Sequence, residues 1–143
     1  MRRPRGDQGT VLLMMVGLAV VLLLMVAVVV DVSAVLLARR ALSGAVDGAA
    51  VAAAQQPDIA VIRDGGLGER LPLDPAAVDD VVASYEQEAR EGQPGLELLG
   101  HVERPETAVV DGRRTIRLPF AGWLGVGLVR VQAQGRARSP VLP

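Results

Sequence analysis

The chain has no cysteine, no lysine, and one residue each of Phe, Tyr and Trp among its 143. Without cysteine there is no disulfide, no thiol nucleophile and no thiolate metal site. With aromatics at 2%, any core rests on Val, Leu, Ile and Ala and is thin. All 15 basic residues are Arg, a choice that reads as nucleotide-composition bias, and acidic residues balance them to a formal charge of -1. No basic run exceeds an Arg pair or triplet, so a nucleic-acid binder relying on a broad cationic surface is excluded.

Residues for chemistry are equally scarce. The single histidine, His101, stands two positions from Glu103 and four from Glu97. A metal centre needs three or four convergent ligands, and only carboxylates are at hand to complete one. Ser84, Thr115 and Ser139 have no neighbouring histidine to activate them. The glycine cluster Gly65, Gly66 and Gly68 is followed by Glu69 and Arg70, whereas a phosphate loop ends in Lys and then Ser or Thr. The expectation is a protein that is not an enzyme and holds no cofactor or metal.

What the chain does have is one long apolar run. From Thr10 to Val30 it reads TVLLMMVGLAVVLLLMVAVVV, uncharged throughout. At about 1.5 Å per residue this length crosses a hydrocarbon layer of about 30 Å. No polar face interrupts it, as one would in a helix lying on a soluble core. A cleaved export signal is the rival reading, since V-S-A at Val32 to Ala34 resembles a small-residue cleavage site; the apolar run is longer than such signals use. Arg2, Arg3 and Arg5 precede the run and Arg39 and Arg40 follow it, so the basic balance places the N-terminus in the cytoplasm. Asp31 then falls at the outer interface, because sliding the span toward Ala38 would bury its carboxylate at a cost of roughly 2.5 to 3.5 kcal/mol. Asp31 is a candidate for interfacial or intramembrane pairing with a partner cation.

No proline separates Val30 from Gln56, so the helix is expected to continue outside the membrane until Pro57. In this outer half Ala41, Gly44, Ala45, Gly48, Ala49 and Ala52 recur at three- and four-residue steps and share a face. A mid-helix glycine costs about 1 kcal/mol relative to alanine. Gly44 and Gly48 therefore suit close approach by a neighbouring backbone, either the chain's own sheet or another subunit's helix.

Beyond Pro57, IAVIRDGGLGERLPLD reads as loop. Asp74 and Pro75 form an N-cap and first helical residue for PAAVDDVVASYEQEARE, with Val78, Val81, Val82 and Tyr85 at helical spacing. From Leu96 the pattern becomes strand-like: LELLGHV, ETAVV, RTIRLPF and LVRVQAQGRA, with Asp111-Gly112 as a hairpin signal and FAGWLGVG joining the last two segments. The expected class is α+β, a long helix followed by a small domain of one helix on a three- or four-stranded antiparallel sheet. The divisions are 1–9 as basic tail, 10–30 as span, 31–56 as outer helix and 57–143 as outer domain.

The stretch RGDQGTV, the run VDVSAVLLARRALSGAVDGAAVAAAQ with its D-x-S and ARRAL, and the end RTIRLPFAGWLGVGLVRVQAQGRA together resemble the tight-adherence (Flp) pilus assembly proteins. The likeness is to their TadE/TadG minor pseudopilin group in its actinobacterial form, and the N-terminal half carries most of it. It implies a pilin-like, non-catalytic, single-pass protein of the cytoplasmic membrane with its C-terminal part outside. Its partners would be the lipid bilayer, other pilus or pseudopilin subunits and the membrane assembly platform, with no nucleic acid. Processed members carry Glu at the fifth position after the cleaved glycine; here that position holds Met14 counting from Gly9, or Val11 counting from Gly6. This departure points to the unprocessed, scaffold end of the group. The alternatives are a secreted binding module with a cleaved signal, or a single-pass ligand-binding protein.

Overall fold

The computed structural model describes residues 7–65, 71–125 and 127–140. Its first element, α1 (Asp7–Ala53), is one unbroken helix of 47 residues, about 70 Å long. Valine-rich stretches such as residues 28–32 are poor helix formers in water. In lipid they must be helical, because no other partner exists for the backbone groups. Among the described residues this is the one helix long and apolar enough to cross a membrane, and none of its most apolar stretch is buried. The helix ends by tightening: Gln55 and Gln56 donate their N–H groups to the carbonyls three residues back, and Pro57 stops it.

Two shorter helices follow. The segment read as loop contains α2 (Ile59–Gly65), a helix of 7 residues. Asp58 starts it by accepting from the N–H groups of Ala60 and Val61, each at 3.0 Å. The third helix, α3 (Pro75–Ala89), opens as the sequence indicates, with the Asp74 side chain accepting from the Ala76 N–H. Val78 and Val82 are its buried residues. Glu86 and Arg90 clasp the end of α3 to the next element: the Glu86 carboxylate pairs with Arg90 and accepts from the Leu98 N–H, while Arg90 Nε donates to the Leu96 carbonyl.

Three strands, β1 (Leu96–Arg104), β2 (Thr107–Arg117) and β3 (Leu128–Arg138), form an antiparallel meander in the order β1-β2-β3. Asp111-Gly112 is not a turn. It lies inside β2, where Asp111 pairs with Leu99 and Gln134, and Gly112 with Leu98 and Ala133; the β1–β2 turn comes instead between Arg104 and Thr107. Two expected strands are thus one. The glycine is there because its missing side chain leaves room for Val46, Leu42 and Leu98, all of which would contact a Cβ at this position.

The C-terminal half of α1 and the length of α3 cover one face of the sheet. The core consists of Leu42, Ala45, Val46, Ala49, Ala50 and Ala53 from α1, Val78 and Val82 from α3, and Leu96, Leu98, Ala108, Val110 and Val131 from the strands, with Leu73 and Ala54 closing the far end. Among the described residues no aromatic is fully buried, so stabilisation depends on how closely the layers approach. At Gly135 main chain meets main chain, and a Cβ there would fall 2.7 Å from the Val46 carbonyl oxygen. Gly100 admits the Val82 side chain, with a Cβ there 2.7 Å from its Cγ2.

Gly135→Ala must push strand from helix, and the expected loss is about 1 to 3 kcal/mol, typical of overpacking. Gly44→Ala meets open space and should gain about 0.5 to 1 kcal/mol in helix propensity. Denaturant unfolding of the full chain in detergent, followed through exchange of the sheet amides, checks both. Equal midpoints for the two variants would refute the close-contact account.

Candidate helix-packing and membrane-exit site

The C-terminal half of α1 has a covered side and an uncovered one. The buried stripe is Leu42, Ala45, Val46, Ala49, Ala50 and Ala53, spaced by one, three and four residues as one helical face requires. The six small residues singled out from the sequence divide across the boundary of this stripe. Ala45 and Ala49 are buried in the chain's own core, Gly48 and Ala52 are half-buried, and Ala41 and Gly44 are exposed. At Gly48 the occupant is the Tyr85 hydroxyl of α3, which a Cβ would strike; at Gly44 nothing lies within 4 Å. The backbone of Ala41 is engaged from α3's end, since Gln93 Nε2 donates to its carbonyl at 3.3 Å.

On the uncovered side Leu37, Arg40, Gly44, Asp47 and Val51 follow one another at three- and four-residue steps, all exposed. Leu37 is 65% and Val51 54% exposed. This is a mixed stripe with a smooth centre at Gly44, flanked by one cation and one anion.

Asp31 sits where the apolar run ends, and its carboxylate is occupied by the chain itself. One oxygen accepts from the Phe120 N–H at 3.0 Å and the other from the Ala121 N–H at 2.7 Å. These donors open a short 3-10 turn (Ala121–Leu124) whose own N-cap residue, Phe120, provides no side-chain bond. Asp31 therefore caps that turn from across the molecule, supplying the acceptor that a helix start lacks. The turn closes through Gly125, at φ 80, and the Leu118 N–H donates to the Gly127 carbonyl to seal the connection. Two positions on from Asp31, Ser33 Oγ donates to the Val29 carbonyl at 2.8 Å, hiding its hydroxyl against the helix. The two polar members of D-x-S thus have separate tasks.

Arg2, Arg3 and Arg5 lie outside the described residues, as does the side chain of Trp123. His101 is on the open face of the sheet with its Nδ1 3.8 Å from an Asp111 oxygen. No group of three or more metal-ligating side chains is assembled among the described residues. The residues that sequence reasoning missed are Gly100, Gly112, Gly135 and Tyr85 as packing partners, and Phe120 and Ala121 as partners of Asp31. A signal existed for the glycines, since a glycine inside an alternating strand marks close approach of another backbone. For the Asp31 contact there was none, because its donors are main-chain groups about 90 positions away.

Residues 9–56 match the Tad family model, described as "Putative Flp pilus-assembly TadE/G-like". The matched segment is α1 from its third residue to the turn before Pro57, about a third of the chain. The N-terminal segment is thus TadE/G-like, while the sheet and α3 fall outside the match. No curated protein and no solved structure is matched by the chain.

Removing the carboxylate in Asp31→Ala leaves two N–H donors without their acceptor. Charge-assisted hydrogen bonds are worth about 1.5 to 3 kcal/mol, less where water reaches them as here. Hydrogen exchange at the Phe120 and Ala121 amides should accelerate by roughly 5- to 30-fold, with β1 unaffected. Unchanged exchange at the two amides would mean that the clamp contributes nothing.

Proposed function

We propose that this chain is a non-catalytic, membrane-anchored subunit of a tight-adherence (Flp) pilus or related secretion assembly. Residues 10–30 span the cytoplasmic membrane with the Arg2, Arg3 and Arg5 tail inside. Residues 31–56 continue the helix outside, and 57–143 complete the outer domain. The observation that carries the reading is the coincidence of the TadE/G-like match with α1, a helix whose first half has no cover and whose second half is covered on one side only. An apolar helix left bare needs a bilayer. The stripe from Leu37 to Val51 has a contact-sized smooth centre and both signs of charge, which suits another subunit's helix packing in register.

The secreted alternative is disfavoured by Asp31. Cleavage after Ala34 would remove the carboxylate that caps the β2–β3 connection and would leave its two donors unmet. Retention of the span keeps the clamp.

The decisive substitution is Gly44→Leu, because that position is open and the fold can accept it. Gly48→Leu is unsuitable, since Tyr85 occupies the space. Gly44→Leu should leave the unfolding midpoint nearly unchanged and reduce co-purification with pilus assembly components from native membranes by tenfold or more, about 1.4 kcal/mol of lost contact. Undiminished association would remove the proposed interface. Intact mass in the same membranes should correspond to the uncleaved chain, and a new start near Val35 would overturn the anchor.

A further inference from the structure

We propose that the β2–β3 connection is a second membrane contact: Phe120, Ala121 and Leu128 rest in the interfacial layer of the outer leaflet, with Arg117 and Arg130 against lipid phosphates. This rests on the reading above in which α1 crosses the bilayer. Three observations carry it.

The first is position. Asp31 directly follows the apolar run, and Phe120 and Ala121 are hydrogen-bonded to its carboxylate. Wherever the apolar run ends, this connection is beside it through Asp31, and the helix residues on either side of Asp31, Val29, Val30 and Val32, are exposed. The second is composition and exposure. From Leu118 to Val129 the sequence LPFAGWLGVGLV carries no charge and holds the chain's sole Phe. Phe120 is 49% and Leu128 66% exposed, apolar area that water would disfavour and that an interfacial layer accepts.

The third is charge. On the open face of the sheet, Arg136 pairs with Glu103 at the end far from the connection, and Arg113 with Glu97 further down. Arg117 and Arg130 come nearest the connection: Arg117 is paired in register with Leu128, and Arg130 with Thr115. Both are exposed, and among the described residues neither meets a carboxylate. Two cations without carboxylate partners, just above an uncharged segment, match the order of phosphate above acyl chain in a lipid leaflet.

Because the native chain has no cysteine, single-cysteine variants can carry a spin label without background. Phe120→Cys, Leu22→Cys and Gln132→Cys are compared in the full chain, in vesicles of phosphatidylcholine and phosphatidylglycerol, by collision with oxygen and with a water-soluble nickel chelate. The expected result is that the label at 120 falls between the other two, more open to oxygen and less open to the nickel chelate than the one at 132, while the label at 22 loses nickel collision altogether. The label at 132, on the open face of the sheet, should be open to nickel. Adding Arg117→Gln and Arg130→Gln should restore part of the nickel collision at 120. If 120 behaves as 132 while 22 is in lipid, the second contact is wrong and the anchor stands. If 22 is also in water, the anchor falls and this inference with it. Protection at 120 from both reagents, with dipolar broadening between labels, would assign the surface to a second copy of the chain and overturn the lipid contact.

Discussion

Backbone contact between α1 at Val46 and β3 at Gly135 sets the geometry of the molecule. A helix and a strand ordinarily meet through side chains; here the strand glycine brings main chain against main chain. The rest follows by simple lengths. From Val46 back to Asp31 the helix descends about 22 Å at 1.5 Å per residue, and from Gly135 back to Leu128 the strand descends about 23 Å at 3.3 Å per residue. The two elements run side by side in the same direction, so fixing one contact brings the β2–β3 connection level with Asp31. The carboxylate clamp on Phe120 and Ala121 is thus a consequence of packing that occurs four helical turns away.

A core built, among the described residues, without a fully buried aromatic explains why such contact is needed. Leu42, Leu96 and a set of valines are the largest fully buried side chains, and they offer little area each. Dispersion falls steeply with separation, so a thin core is stabilised by shortening the distance between layers. The chain does this by placing alanines on the helix and glycines on the sheet. Gly112 receives Val46 and Leu42, Gly100 receives Val82, and Gly48 receives the Tyr85 hydroxyl. Each notch faces a branched or ringed side chain, so helix and sheet interlock and the register between them has little freedom.

This division of labour accounts for what could be read in the sequence. The long helix, the Asp74 cap with Pro75 and the strand-like run LVRVQAQGRA are local patterns, and each was legible because its cause lies within a few residues. Asp111-Gly112 was legible only as a turn, since the pair is the strongest short hairpin signal and the reason it lies mid-strand is α1, some 65 positions earlier. The small-residue stripe was visible but not its orientation. Leu42 and Val46, which flank it in sequence, turn out to be at the centre of the buried face, because the sheet brings its own glycines and has space for larger helix residues. The Asp31 clamp was invisible for a similar reason: main-chain donors leave no mark in residue identity.

The core also decides how far the apolar run and the residues that follow it can be considered apart. The residues from Leu42 to Ala54 are the largest single contribution to the core, and they belong to the same unbroken helix as the apolar run. The TadE/G-like match ends just past this segment, so it takes in one face of the core and none of the sheet that covers it. Strands and α3 are shaped to that face by glycines at single positions, and without the helix they would expose Leu96, Leu98, Val110 and Val82 together. A sheet of this kind can be exchanged between related chains only together with the helix surface it fits, whereas the uncovered stripe through Gly44 can change without disturbing either. Constraint on the two sides of α1 is therefore different in kind: one is set by the chain's own fold, and the other is left to whatever packs against it.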